Sequence, residues 1–365
     1  MRSNFKVTHI VGNRPHYMKL APIVRALIGE GIASEIINTG QHWDESLSGQ
    51  FQREFGLTID VSLSAASGSH GVQTASMMIA LEEHWLKADV LPPIVLVYGD
   101  TNSTLAAALV AAKLDIPVAH VEGGVRAETL DNLMPEEINR RLVDVLSRWV
   151  YVPTERCGDE LRREGFSEDR IVMSGDVMFD QLNSTIKSDD FQSVSRDGPY
   201  ILATIHRAEN TDGSGRLEKI LTALVEIQGE YDVILALHPR TENLLAGDSQ
   251  LGSLASQLEL IPPVGHKEML ELMSGSAFVV SDSGGVPKEA ALMGKRCVIL
   301  RRQATWSELI DSGYCILADP ADASGVIEAI VSVARDPQRA EPISGFGNGD
   351  AARLIAQHIA NLVAN

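Results

Sequence analysis

The feature of this sequence that most constrains its fold is the regular alternation of short apolar runs with amphipathic helical segments. The run at residues 93–98 is almost continuously apolar, which is typical of a parallel strand covered on both faces. Segment 17–28 instead repeats its apolar residues with the spacing of a helix. Because this alternation recurs along the chain, the sequence predicts an α/β fold with parallel sheets.

The length of the chain and one break in composition predict two domains. A chain of 365 residues is too long for one ordinary core. Segment 183–198 is rich in Ser and Asp and has little periodicity, so we expect the domain boundary near it. A second alternation begins at residue 200. Two doubly wound domains suggest a cleft between them, and ligands of open α/β sheets bind beyond the carboxyl ends of the strands.

Composition excludes several classes of function. A formal net charge of −18 argues against nucleic acid and anionic membranes as partners. No apolar run reaches membrane-spanning length, and the first residues lack the apolar core of a signal peptide. The scattered Cys157, Cys297 and Cys315 indicate reduced thiols in a cytoplasmic protein, without a metal site. No motif for NAD, ATP or zinc is present, so we expect no cofactor.

The sharpest local signal is segment 281–289, which follows an apolar run and precedes a helical pattern. Ser283, Gly284 and Gly285 therefore lie on a strand-to-helix turn, where backbone N–H groups and the positive end of a helix point to one place. Two glycines leave room for a ligand near the backbone, as in phosphate sites. Glu289, one turn into the helix, could accept from ribose hydroxyls. The alternative is an ordinary turn of small residues.

Polar residues follow four other predicted strands, and all are expected at the same kind of sheet edge: Arg14, Asp100, Glu122, and His206 with Arg207. Carboxylates around one cleft can divide the roles of general base and general acid. A His–Arg pair on a strand-end loop suits a diphosphate. The alternatives are a helix cap for Asp100 and a solvated loop for the His–Arg pair.

Two neighbouring carboxylates, Glu136 and Glu137, open a helix that begins with a proline. They could act in the cleft, or they could pair with Arg140 and Arg141 four residues further on. His120 lies inside an apolar strand and is interpreted as a core histidine.

Taken together, these motifs resemble the UDP-N-acetylglucosamine 2-epimerase family, in its non-hydrolysing branch. The matching segments follow the family's order: 12–15 with Lys19, 39–42, 98–101, 120–126, 134–140, 204–210, 238–240 and 281–289. As a set they are highly specific, although no single segment is.

The resemblance implies a glycosyltransferase-B-type fold of two Rossmann-like domains with a nucleotide sugar between them. The first domain would comprise residues 1–180 and the last helix at 351–365, and the second would comprise 181–350. The second domain would bind UDP, with Ser283, Gly284 and Gly285 at the phosphates and Glu289 at the ribose. A homodimer is also implied.

For the reaction, the resemblance implies two groups of residues: Arg14, His206 and Arg207 at the diphosphate, and Lys19, Asp100, Glu122 and Glu136 around the sugar, with Arg14 and His206 also catalytic. The family eliminates UDP in the anti sense to give 2-acetamidoglucal, and UDP then adds back with C2 inverted. The C2 proton is weakly acidic, so its removal needs a positioned base, and UDP departure needs cationic groups.

Three departures from the family pattern keep other functions open. They are His16, Pro287 and the pair Ala304-Thr305. The alternatives are an epimerase of a related UDP-2-acetamido or 2,3-diacetamido sugar, a hydrolysing epimerase, a UDP-sugar glycosyltransferase, and a UDP-sugar-binding protein without activity.

Overall fold

A computed structural model describes residues 5–41, 55–66, 68–127, 134–212, 215–336 and 343–364. The chain divides into two units. Unit 1 comprises Met1–Asn183 with Gly345–Asn365, and unit 2 comprises Ser184–Ser344.

The elements up to residue 186 are β1 (Lys6–Val11), α1 (Arg14–Gly29), β2 (Ala33–Asn38), β3 (Val61–Ser62), α2 (His70–Leu86), β4 (Val95–Tyr98), α3 (Asn102–Lys113), β5 (Val118–Val121), α4 (Pro135–Leu146), β6 (Trp149–Val152), α5 (Glu155–Arg163), β7 (Ile171–Met173) and α6 (Val177–Ile186). Those that follow are β8 (Tyr200–Thr204), α7 (Ala208–Thr211), α8 (Arg216–Ile227), β9 (Asp232–Ala236), α9 (Pro239–Gly247), α10 (Ser249–Ala255), β10 (Glu259–Ile261), α11 (His266–Gly275), β11 (Val279–Ser281), α12 (Val286–Leu292), β12 (Cys297–Leu300), α13 (Ser307–Asp311), β13 (Cys315–Ala318), α14 (Ala323–Ala334) and α15 (Ala351–Ala364).

Each unit contains one parallel sheet, which confirms the predicted α/β class. The strand order is β3-β2-β1-β4-β5-β6-β7 in unit 1 and β10-β9-β8-β11-β12-β13 in unit 2. The direction of strand progression reverses between β1 and β4, and between β8 and β11. In doubly wound sheets such reversals mark the ligand-binding crevice.

The faces of β4 explain its continuously apolar sequence. Leu96 and Tyr98 pack into a core built with α1 and α15, whereas Val95 and Val97 pack into a second core built with α2 and α3. A strand buried on both faces has no position for a polar side chain. Full burial of such side chains contributes about 1.5–3 kcal/mol each.

Helix α15 belongs to unit 1, although it comes last in the chain. Its residues Ile355 and Ile359 are fully buried in the core that contains Leu20, Ile23 and Leu27 of α1. The carboxylate of Asp180 accepts hydrogen bonds from the first two N–H groups of this helix. The last helix thus completes the unit formed by the first half of the chain.

The start of α1 corrects one prediction. The sequence pattern predicts this helix from residue 17, but Arg14 is already its first residue. Asn13 caps this helix by accepting from the N–H of His16, and proline suits a first-turn position because it needs no N–H partner there. The Arg14 side chain lies outside the described part of the structure.

The side chain of Thr154 caps α5 by accepting from the N–H of Cys157. The predicted proline at the start of the helix after residue 134 is confirmed. Among the described residues, no helix combines the length and the apolar character needed to cross a membrane.

One buried histidine makes the stability of unit 1 depend on pH. His9 of β1 is fully buried, with Nδ1 2.7 Å from the hydroxyl of Tyr98 and Nε2 3.1 Å from that of Ser34. Burial lowers the pKa of His9 from 6.5 to about 3. The unfolded chain therefore binds a proton here between these two values, whereas the folded chain does not.

We expect the free energy of unfolding to fall as pH decreases below 6.5, by about 1.4 kcal/mol per pH unit from this group alone. His9→Gln keeps a donor and an acceptor but cannot titrate. Urea unfolding of both proteins at several pH values measures the effect. The advantage of the wild type over His9→Gln should shrink as pH falls, and a constant difference would contradict this assignment.

Candidate active site

Three of the predicted residues of unit 1 meet where β4 and β5 end. Nζ of Lys19 lies 2.7 Å from Oε1 of Glu122. This ion pair lies beside Gly99, the residue before Asp100, because a Cβ atom at Gly99 would be 3.0 Å from Nζ of Lys19. Gly99 also has a φ of 60°, which favours glycine. The strand ends therefore bring Lys19, Glu122 and the Asp100 backbone together.

Asp100 forms an ion pair with Arg140 of α4. Its backbone oxygen also accepts from Nδ2 of Asn139 at 2.9 Å. The alternative of a capping role for Asp100 is wrong, because the side chain of Thr101 caps α3. Burial lowers the pKa of Arg140, but the surrounding carboxylates raise it by more, so Arg140 remains a cation at Asp100. This partner of Asp100 was not identified from the sequence.

The two carboxylates at the start of α4 differ in their surroundings. Glu137 is buried and accepts from Arg141 at 2.8 Å, from Arg140 and from the backbone N–H of Ala127. Within the described part of the chain, the exposed carboxylate of Glu136 has no hydrogen-bond or ion-pair partner. Structural pairing therefore accounts for Glu137, and the role of Glu136 stays a prediction.

In unit 2, the predicted phosphate residues follow β8 and β11, which lie side by side. The last residues of these strands, Thr204 and Ser281, are in register, and their hydroxyl oxygens lie 2.6 Å apart. The loops beyond them start from one edge of the sheet, at the point where strand progression reverses.

Asp282 holds these two loops together. Its fully buried carboxylate accepts from the backbone N–H of His206 at 3.0 Å and from that of Arg207 at 2.9 Å. It also accepts from Nδ2 of Asn210 at 3.0 Å. The sequence shows Asp282 directly after a strand, but its role was not predicted. The local signal is an acidic residue between two serines, which by itself does not distinguish a buried anchor from a turn.

In the turn at Ser283–Gly285 the glycines leave space for a ligand, but two of the three backbone N–H groups are already hydrogen-bonded. The N–H groups of Ser283 and Gly285 already donate to the hydroxyls of Ser281 and Ser283. The prediction of several free donors is therefore wrong; among the described residues, only that of Gly284 lacks a partner within this turn. A Cβ atom at Gly285 would meet nothing within 4 Å, and one at Gly284 would meet only Nη2 of Arg207 at 3.4 Å.

Arg207 is a cation without a counter-ion beside this turn. Its Nε is buried and has no hydrogen-bond partner. No ion pair involves its guanidinium in the portions of the chain that the structure describes. Leaving a buried guanidinium nitrogen unpaired is costly, so this arrangement favours an anion that supplies the missing acceptor.

Two histidines complete the cluster of unit 2. His206 stacks on His238 with ring centroids 5.3 Å apart, and its Nδ1 lies 3.4 Å from Oδ1 of Asp282. Burial lowers the pKa of His206 although Asp282 opposes this shift, so neutral imidazole is favoured at neutral pH. Glu289 of α12 is buried, and its Oε1 lies 2.8 Å from Nε2 of His266.

Comparisons with known proteins identify the family. The sequence profile described as UDP-N-acetylglucosamine 2-epimerase matches residues 26–360. The chain belongs to this family.

Relatives in the family are similar over nearly their whole length. The UDP-2,3-diacetamido-2,3-dideoxy-D-glucuronate 2-epimerase of Pseudomonas aeruginosa is 41% identical, over 98% of this chain and 100% of the relative. The UDP-N-acetylglucosamine 2-epimerase of Methanocaldococcus jannaschii is 37% identical, over 96% and 98%.

Solved structures confirm the fold prediction. The crystal structure of the M. jannaschii epimerase in complex with UDP-GlcNAc and UDP has a TM-score of 0.85 at 36% identity, covering 98% of this chain and 100% of that chain. The glycotransferase of kitacinnamycin, at 15% identity and a TM-score of 0.65, shares the fold alone. The glycosyltransferase-B-type architecture expected for this family is thus confirmed.

The role of Asp282 yields a prediction about stability. Asp282→Asn replaces one accepting oxygen by an NH2 group that faces N–H donors. We expect the free energy of unfolding to fall by about 1.5–3 kcal/mol, the scale of a hydrogen bond to a charged group. Urea unfolding measures the change.

Asp248→Asn is the matched control, because Asp248 also accepts two backbone N–H groups, but at an exposed helix start. An exposed cap tolerates Asn. Equal effects of the two substitutions would contradict the anchoring role of Asp282.

Proposed function

We propose that this protein is a non-hydrolysing UDP-N-acetylglucosamine 2-epimerase, which interconverts UDP-N-acetylglucosamine and UDP-N-acetylmannosamine. The observation that carries the proposal is the uncompensated Arg207 beside the open turn at Gly284. An anionic ligand would supply the acceptor that Arg207 lacks. The carboxylates of unit 1 supply the groups that a proton transfer requires.

In this proposal the nucleotide diphosphate binds to unit 2. Its oxygens accept from Arg207 and from the N–H of Gly284, and the ribose hydroxyls donate to Glu289. His206 provides a further donor close to the diphosphate. The role of Arg14 at the diphosphate stays a prediction from the family resemblance. These groups stabilise negative charge more strongly when UDP departs than when it is bonded to the sugar.

The carboxylates of unit 1 act on the sugar. One carboxylate removes the C2 proton while the bond between C1 and the UDP oxygen breaks, giving 2-acetamidoglucal and UDP. UDP then bonds to C1 again, and a proton is delivered to the opposite face of C2. Asp100 and Glu122 are each next to a cation, Arg140 and Lys19, and Glu136 is the third candidate. The assignment of base and acid among them stays open.

At the three departures from the family pattern, His16, Pro287 and Thr305 fit their local structure. Nδ1 of His16 accepts from the N–H of Gly12 at 3.2 Å. Pro287 is in the first turn of α12, where proline fits. The hydroxyl of Thr305 accepts from Arg301 at 3.0 Å. The departures therefore give no reason to favour a protein that binds without catalysis.

The 41% identity to the P. aeruginosa relative supports a second candidate substrate, a UDP-2,3-diacetamido sugar acid. The elimination at C1 and C2 would be the same, and only the contacts to C3 and C5 would differ. The homodimer and the cytoplasmic location stay predictions from the sequence.

The test of the function is the identity of the product. We expect NMR spectra of the protein with UDP-N-acetylglucosamine to show UDP-N-acetylmannosamine, and a parallel sample with the diacetamido substrate identifies the preferred sugar. Free N-acetylmannosamine as the only product would indicate a hydrolysing enzyme, and unchanged substrate in both samples would reject the proposal.

Asp100→Asn is the active-site variant for this assay. It keeps the size of the side chain but removes its ability to take a proton, so turnover should fall by about 10²–10⁴-fold while UDP binding persists. Asp159→Asn, at an exposed carboxylate of α5, is the control and should retain full activity. Near-normal turnover of Asp100→Asn would remove Asp100 from the reacting groups.

Gly284→Val tests the diphosphate site. The protein itself has room for the side chain, because only Nη2 of Arg207 lies near it. We expect a folded protein whose affinity for UDP is about ten- to a hundredfold lower, the scale of one lost charge-assisted hydrogen bond. Gly247→Val, at the end of α9 with nothing within 4 Å of its Cβ position, should bind UDP normally in calorimetry. Normal binding by Gly284→Val would exclude this turn from the site.

A further inference from the structure

One buried histidine contacts both strand ends that carry the candidate carboxylates. His120 of β5 is fully buried. Its Nε2 lies 2.8 Å from the carbonyl oxygen of Gly99, the residue before Asp100. His120 itself precedes Glu122 by two residues. A single imidazole ring therefore joins the end of β4 to the end of β5.

The other side of this ring faces Asp144 of α4. Nδ1 of His120 lies 2.7 Å from Oδ1 of Asp144. Oδ2 of Asp144 accepts from the N–H of Gly124 at 3.1 Å and from Nη1 of Arg126 at 2.7 Å. Burial raises the pKa of Asp144, but His120 and Arg126 lower it by more, and the net shift is downward. Because Oδ2 faces the Arg126 guanidinium and a backbone N–H, the ionised form of Asp144 is favoured independently of His120, and this carboxylate only accepts.

The proton count of the ring follows from these partners. A backbone carbonyl only accepts, and so does an ionised carboxylate. A neutral imidazole has one N–H and one lone pair, so it would direct a lone pair at one of the two oxygens. Both contacts are satisfied only when Nδ1 and Nε2 each carry a hydrogen. Rotating the ring by 180° does not remove this requirement, because both oxygens remain acceptors.

His9 shows that burial alone does not dictate this state. It is also fully buried in the same sheet, but its partners are the hydroxyls of Tyr98 and Ser34, which can donate as well as accept. Burial lowers the pKa of His9 to about 3, so it is neutral. The two histidines differ in the chemistry of their partners.

We infer that His120 is an imidazolium at neutral pH and that it positions Asp100 and Glu122 for proton transfer. This role rests on the proposed epimerase function, whereas the protonation state does not. The hydrogen bond to Gly99 fixes the peptide that leads into Asp100. The short path along β5 fixes Glu122, whose φ of 68° is unusual for a residue with a side chain. Strained backbone of this kind persists where its surroundings hold it.

Helix α4 contacts both His120 and Asp100. It supplies Asp144 to His120 and Arg140 to Asp100. The charges that face the ring within the described residues are Asp144 and, on the far side of that carboxylate, Arg126. The residues paired with His120 on the flanking strands, Val97 and Val150, are apolar.

The direct test is the wild-type protein labelled with ¹⁵N-histidine. Long-range ¹H–¹⁵N correlation spectra at pH 7 should show hydrogens on both nitrogens of His120. His9 is the internal control and should show one protonated and one unprotonated nitrogen. The variants His120→Gln and His9→Gln assign the signals. An unprotonated nitrogen on His120 at pH 7 would overturn the inference.

Kinetics test the positioning role. His120→Gln can donate to only one of the two oxygens, so we expect kcat to fall on the order of 10²-fold through misplacement of the carboxylates. UDP affinity, measured by calorimetry, should stay unchanged because His120 is not among the residues proposed to bind UDP. His9→Gln should keep its kcat. Unchanged kcat in a folded His120→Gln protein would overturn the positioning role.

These outcomes are distinct from failure of the proposed function. If the wild type epimerises no UDP-sugar, the epimerase proposal and the positioning role fail together. The spectra still decide whether His120 is an imidazolium, because they need no substrate.

Discussion

Parallel strand pairing is the constraint on which the rest of this structure depends. Because all strands of a sheet run in one direction, their carboxyl ends collect at one edge. Lys19 and Glu122 are 103 residues apart, yet they form an ion pair there. His206 and Asp282, 76 residues apart, meet at the corresponding edge of the other sheet. Neither cluster requires a continuous motif, and each is assembled from the loops and helices that follow neighbouring strands.

The fold class was predictable because its signals are local. Val95–Tyr98 is apolar at every position since each of its faces packs into a separate core. Thr154 and the proline at residue 135 mark helix starts through contacts within a few residues. The start of α1 was placed too late because the apolar spacing of a helix is visible only from residue 17. A proline two residues after an Asn fits a helix start as well as a turn. Only the structure distinguishes a turn from a helix start here.

The sequence predicted which residues belong to the candidate site, but it did not predict which of them pair with each other. Asp100, Glu122, His206 and Arg207 stand directly after apolar runs, which places them at strand ends. The pairing of Asp100 with Arg140, the anchoring by Asp282 and the burial of Glu137 depend on how distant elements pack. Spacing alone cannot give such pairings, because a side chain of α4 reaches Asp100 only if the helix lies in one particular register against the sheet.

In the proposed reaction, one nucleotide sugar is held by its diphosphate and loses its C2 proton to a carboxylate. The most direct measurement is proton NMR of the product formed in deuterated water. Because the C2–H bond must break and the proton returned comes from a group that exchanges with solvent, the epimerised sugar should carry deuterium at C2. An epimerised product that retains only protium at C2 would contradict this account.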